Sequence, residues 1–208
     1  MRKTRKAAAI LTAAAMAAAS AMPVMADEIK DLYDYETQAR EVETWNILHS
    51  QSAADLNVLT NLYDGLVEAD EYGKVVPAIA ESWETEDNGI TWTFHLREGV
   101  KWVDQNGNEK GEVTAQDFLT GLEWILNFHK NDAANTSMPM EMIVGAEDYY
   151  NMTSELDADA GFALTAESPE FADTVGIKAI DDYTLQYTCV GEKPYTSYTM
   201  AGVKCVVS

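Results

Sequence analysis

The stretch Ile90-Thr91-Trp92-Thr93-Phe94-His95-Leu96 alternates apolar and polar residues without a break. Period-two alternation puts Ile90, Trp92, Phe94 and Leu96 on one face of a β-strand, toward a core, with Thr91, Thr93 and His95 on the other. Asp87-Asn88-Gly89 before it and Arg97-Glu98-Gly99 after it are turn sequences, so the strand is bounded on both sides. A half-buried strand needs partners, and its neighbours supply them. Upstream, a Glu71-Tyr72-Gly73 turn leads through Val75 to Ile79 into Ala80-Glu81-Ser82-Trp83; downstream, Val100 to Val103 runs into the polar loop Gln105-Asn106-Gly107-Asn108. Much later, Val175 to Ile180 and Thr184 to Val190 flank Asp181-Asp182 as a β-hairpin.

Helical patterns interrupt these strands. Ser52 stands as an N-cap with Asp55 three residues on, and Leu56, Leu59, Leu62 and Tyr63 recur at helical spacing, which predicts a helix over 53–64 with Gly65 as its stop. Thr114-Ala115-Gln116-Asp117 repeats the capping pattern, and Phe118, Leu119, Leu122, Ile125, Leu126 and His129 form a stripe, which predicts a helix over 115–129. A loop from Asn131 to Pro139 follows, then a helix over Met140–Asn151 with Ile143, Ala146 and Tyr150 inward, then a polar, loosely structured stretch from Thr153 to Thr174. Glu43 to Leu48 reads as a short extended segment. The fold class is therefore mixed α/β (α+β), a mixed β-sheet with packed helices.

The chain has 208 residues, is 47% hydrophobic and carries a formal charge of −21. That apolar content supports one or two packed domains. The acidity, with no basic stripe to offset it, sets nucleic-acid binding aside. Two cysteines are too few for a disulfide-stapled miniprotein or a four-ligand zinc site.

The basic residues Arg2, Lys3, Arg5 and Lys6, the alanine-rich run Ala7–Ala21 and Met22-Pro23-Val24-Met25-Ala26 have the order of a secretory signal, with cleavage between Ala26 and Asp27. The apolar run is shorter than the roughly 20 residues a membrane span requires. Removing it leaves 10 basic against 35 acidic residues, a charge of −25. Such a surface suits solvation outside the cytoplasm. No cysteine lies near the cut to take a lipid.

No catalytic constellation is visible. His49, His95 and His129 fall in different elements without paired spacing, and HExxH, GxSxG and GxxxxGK[ST] are absent. Asp157-Ala158-Asp159-Ala160-Gly161 opens like a calcium loop, but glycine falls where a ligand belongs and position twelve is Ser168 in place of glutamate, so neither metal nor cofactor is assigned. Cys189 and Cys205 have two readings, a disulfide in an oxidising compartment or, for Cys189, a buried strand residue alternating with Leu185 and Tyr187. Of the five tryptophans, Trp45 alone lacks a periodic partner, which makes it a candidate for a ligand cleft.

Four blocks occur in order: Asn61-Leu62-Tyr63-Asp64-Gly65-Leu66-Val67, Val76-Pro77-Ala78-Ile79-Ala80-Glu81-Ser82-Trp83, Thr91 to Trp102 and Val113-Thr114-Ala115-Gln116-Asp117-Phe118. Together they resemble the N-terminal signature of the family 5 extracytoplasmic solute-binding proteins, the oligopeptide and dipeptide receptors of bacterial ABC importers. Val175 to Leu185 and Pro194-Tyr195 extend the resemblance, which covers about residues 43–200.

The resemblance implies the N-terminal part of a type II periplasmic-binding-protein-like fold. It divides the chain into a signal peptide (1–26), an opening segment of the first lobe (27–58) and a small inserted second domain (59–208), stopping before a large third domain. It implies a monomeric, non-enzymatic receptor for a peptide or other small solute, such as a nickel chelate or a sugar, that hands its ligand to permease subunits. In such receptors two lobes close around the ligand and backbone groups hold the peptide main chain. The group that fixes a peptide's amino terminus is expected beyond Ser208. Ligand-binding candidates are Trp45 and Asn46 in the opening segment and Ser137 and Met138 after the long helix. There Asn135-Thr136-Ser137-Met138-Pro139-Met140 stands where these receptors tend to carry tyrosines. The competing reading is an exported cell-surface interaction or structural module without a transport role.

Overall fold

A computed structural model describes residues 41–50, 52–130 and 136–192. In chain order they form α1 (Ala53–Leu59), β1 (Val67–Ala69), β2 (Val75–Pro77), β3 (Ala80–Thr85), β4 (Thr91–Leu96), β5 (Lys101–Val103) and β6 (Glu109–Glu112). Then come α2 (Ala115–Leu126), α3 (Ser137–Met142), α4 (Ala146–Ser154), α5 (Ala158–Ala163), α6 (Pro169–Ala172), β7 (Ile177–Asp181) and β8 (Thr184–Thr188). The expected cleavage point at Ala26 and Asp27, and Cys205, lie outside the described residues.

The alternating stretch is β4, and Trp92, Phe94 and Leu96 are its buried face. It lies inside a four-stranded antiparallel sheet of order β3-β4-β8-β7, so the hairpin predicted at the far end of the sequence pairs directly with it. Register sets Trp83, Phe94, Leu185 and Ala179 in one row across the sheet, and Trp92, Tyr187 and Ile177 in another. Between these rows Phe94 meets Tyr187 edge to face, with centroids 6.1 Å apart. The Asp87 turn starts β4 with its carboxylate accepting from Thr91 N (2.6 Å) and Thr91 Oγ1 (2.9 Å). Helix α2 packs against β7, and its stripe of Phe118, Leu119, Leu122 and Leu126 joins the sheet residues in one core. β1–β2 and β5–β6 form separate two-stranded ribbons, which contribute Val67, Val75 and Trp102 to the same core.

Several expectations are corrected. The helix predicted over 53–64 ends at Leu59, because Thr60 Oγ1 and Asn61 Nδ2 both turn back to the Asn57 carbonyl (3.2 and 2.8 Å). The helix predicted over 115–129 ends at Leu126, where Asn127 becomes extended. Glu43 to Leu48 holds a turn in place of an extended segment, with Asn46 Oδ1 accepting from Leu48 N (2.9 Å) and Asn46 O from His49 N and Ser50 N. The single helix expected over Met140–Asn151 is two, α3 and α4, and Pro139 belongs to the first. Gly145 separates them at φ +72°, and a Cβ there would collide with the Thr174 carbonyl. Tyr149, not Tyr150, is the fully buried tyrosine of α4. The stretch Thr153–Thr174 contains α5 and α6, each under two turns and too short to show a helical period. Ribbon strand β6 escaped notice because none of its residues is apolar.

Candidate functional site

The opening segment is fastened by Asp55, 1% exposed, whose carboxylate accepts from Ser50 Oγ (3.1 Å) and from the backbone of Glu43 (3.2 Å). Ile47 and Leu48 bury against Leu59 of α1 and Ile125 of α2, with Leu56 and Tyr63 alongside. The turn between these anchors leaves Trp45 and Asn46 facing outward, Trp45 with 60% of its surface exposed. The Tyr63 hydroxyl donates to the Trp45 carbonyl at 3.5 Å.

Tyr63 also borders a cleft of about 220 Å³. Ile79, Val100, Val113 and Phe118 give it an apolar lining, Leu62 and Val103 add exposed apolar surface, and Asp64 and Lys101 bring the charges. Trp102 is fixed by its indole N–H, which donates to Asp117 Oδ2 (3.2 Å), the same oxygen that accepts from Thr114 N (2.8 Å) in the capping box of α2. Lys101 is paired with Glu112 at 2.9 Å, so its charge is already balanced. Glu112 accepts as well from the Tyr183 hydroxyl (2.7 Å) and Gly99 N (2.6 Å). The Lys101 ammonium, the Tyr183 hydroxyl and the Gly99 amide hold its carboxyl down to about 2, while Glu112 pushes the Tyr183 phenol up to about 12. The cleft suits one large apolar side chain and falls below the several hundred Å³ usual for a small-molecule pocket.

Ser137 and Met138 open α3 on the surface, between buried Thr136 and buried Pro139. Each predicted pair is adjacent in sequence, Trp45 with Asn46 and Ser137 with Met138, but none of the four lines the 220 Å³ cleft. Cys189 is buried and bridges to Ile143 beside β8. His95 lies 3.3 Å from Glu84 on the outer face of the sheet, and His129 holds the Leu156 carbonyl at 2.9 Å. Asp157 stands at the N-cap position of α5, its carbonyl accepting from Gly161 N (2.9 Å), and among the described residues no three metal-ligating side chains cluster.

Sequence reasoning missed Tyr63, Asp64 and Lys101 as cleft residues, and Glu123 as a buried charge. The signal for Glu123 was present: it lies four residues after Leu119 and three before Leu126, inside the apolar stripe of α2. Tyr63 and Lys101 carried none, since residues that far apart in sequence line one cleft only through the fold.

The family described as bacterial extracellular solute-binding proteins, family 5 middle, matches residues 74–208. Oligopeptide-binding protein AliB of Streptococcus pneumoniae is 35% identical over 82% of this chain and 24% of its own length. Periplasmic oligopeptide-binding protein OppA of Salmonella typhimurium is 33% identical over 93% of this chain and 32% of its own. The substrate-binding domain of an oligopeptide ABC transporter from Bacillus anthracis superposes with a TM-score of 0.62 at 27% identity, covering 83% of this chain and 29% of that one. A periplasmic oligopeptide-binding protein of Borrelia burgdorferi shares the fold, with a TM-score of 0.62 at 23% identity over 79% of this chain and 29% of that one. The chain thus spans about a quarter to a third of the length of these relatives. With its ordered sequence blocks, antiparallel core and capped helix α2 all within the matched range or leading into it, the chain belongs to the bacterial extracellular solute-binding proteins of family 5.

Proposed function

We propose that this protein serves as an extracytoplasmic receptor that captures peptides and delivers them to the permease of an ABC importer. The observation that carries the reading is sustained identity with proteins named for oligopeptide binding, which runs through most of the chain. The order of the first 26 residues, that of a secretory signal, supports it. Trp45 and Asn46 on their outward turn, and Ser137 and Met138 at the start of α3, are the proposed ligand contacts. Their exposure leaves them available to a peptide held between this region and a second lobe. The protein acts as a monomer, with residues 27–58 opening the first lobe and 59–208 forming the small inserted domain.

Uptake of a radiolabelled tetrapeptide by cells lacking the gene tests the assignment. Lost uptake, restored by the gene, is the expected result; undiminished uptake overturns it. Calorimetry of the 208-residue chain against a mixed peptide library tests the division of the site. Weak or absent binding is expected, because the four proposed contacts lie exposed on one side of a peptide that a second lobe would hold from the other; tight binding overturns this division of the site.

A further inference from the structure

The last turn of α2 and the helices α4 and α5 meet around one buried ion pair. The Glu123 carboxylate, 2% exposed, accepts from Lys130 Nζ (2.7 Å), Asn127 Nδ2 (2.8 Å) and the Tyr149 hydroxyl (2.8 Å). Lys130 donates a second time to the Leu164 carbonyl, and its ammonium lies 5.9 Å from the centre of the Trp124 ring. The four residues that leave α2 are docked one after another. Asn127 Nδ2 donates to the Gly161 carbonyl (2.9 Å), Phe128 N to Thr153 Oγ1 (3.1 Å) and His129 Nε2 to the Leu156 carbonyl (2.9 Å). Gly161 is obligatory beneath them, since a Cβ there would enter the His129 ring. Burial and the Glu123 charge push the Tyr149 phenol well up, so it remains a donor throughout the physiological range.

A buried ion pair adds little net stability over apolar replacements, but it tolerates few alternative geometries. Its effect is therefore on where things stand. Lys130 is the last described residue before positions 131–135, and Ser137 and Met138 follow them in sequence. On the far side, α3 packs along α4, the helix whose Tyr149 reaches Glu123. One carboxylate thus holds the chain before positions 131–135, through Lys130, and the helix pair after them, through Tyr149.

We propose that Glu123 and Lys130 are positioning residues that fix the place and stiffness of α3, and with it the ligand-contacting pair Ser137 and Met138. The ligand part rests on the reading above that these two residues touch the solute. Pre-ordering a contact segment before binding removes an entropic cost from each ligand engaged.

Amide hydrogen exchange on the 208-residue chain tests the proposal directly. In Lys130→Met and Glu123→Ala the Met140 and Ile143 amides, which bond the Thr136 and Pro139 carbonyls, are expected to exchange more than tenfold faster. The Leu96 amide, bonded to the Tyr183 carbonyl at the far end of the sheet, is expected to keep its rate. Glu123→Gln, which retains an acceptor for Tyr149 and Asn127, is expected to show a smaller increase and serves where Glu123→Ala fails to fold. Unchanged exchange in α3, or an equal rise in α3 and the sheet, overturns the proposal. Peptide affinity in a receptor of the relatives' length separates the proposal from the reading beneath it. If Met138→Ala weakens binding while Lys130→Met does not, positioning is refuted and the contact stands; if Met138→Ala leaves affinity intact, the contact itself is refuted.

Discussion

The indole N–H of Trp102 donates to the carboxylate of Asp117 at 3.2 Å, tying the ribbon β5–β6 to the first turn of α2. That oxygen also closes the capping box with Thr114, so one side chain serves the helix terminus and the cleft wall together. Asp117→Ala is expected to lower stability by about 1–2 kcal/mol through the lost cap and the stranded indole. Urea denaturation followed by tryptophan fluorescence measures it, and Asp117→Asn should recover part of the loss.

Glu112 makes a pH prediction with a definite sign. Its carboxyl is held at about 2, below the ordinary 4.5, so its contribution is complete above 4.5 and is lost as pH falls through about 2. A carboxyl NMR titration should show this group titrating near 2. Tyr183→Phe removes one donor and should move that midpoint up toward the ordinary value.

Gly145→Ala combines a left-handed backbone with a clash against Thr174. We expect a loss of at least ~2 kcal/mol, seen as a lowered thermal midpoint. Gly107→Ala offers the control: its φ is similar at +77°, but nothing lies within 4 Å of the added methyl, so it should cost less.

In a receptor of the relatives' length, Trp45→Ala is expected to weaken peptide binding about tenfold, equivalent to ~1.4 kcal/mol. Calorimetry measures it, and unchanged affinity would remove Trp45 from the ligand site.

What the sequence disclosed followed the reach of each signal. β4 was legible because one residue type alternates with another over seven positions, and its turns are written in Asp87-Asn88-Gly89 and Arg97-Glu98-Gly99. Thr114 and Asp117 announced the start of α2 because a capping box is local. The end of α2 was not announced: it depends on Asn127 bonding to Gly161, thirty-four residues away. α5 and α6 were hidden because neither completes two turns, and β6 because Lys110 and three neighbouring polar or glycine positions look like loop. Trp45 stands out in the sequence because it lacks a periodic partner, and Glu123 because it is a lone charge inside the apolar stripe of α2.

The pairing of β4 with β8 also sets an order of events during synthesis. β3 and β4 emerge early and join as a hairpin, but the strand that completes their sheet begins only at Thr184. At about 5–20 residues per second the ribosome needs roughly 5 to 20 seconds to cover that interval. Throughout it Trp92, Phe94 and Leu96 lack their cross-strand partners Tyr187, Leu185 and Thr184's neighbour Tyr183. A nascent chain in that condition, a hairpin with one apolar edge still uncovered, is a natural client for chaperones.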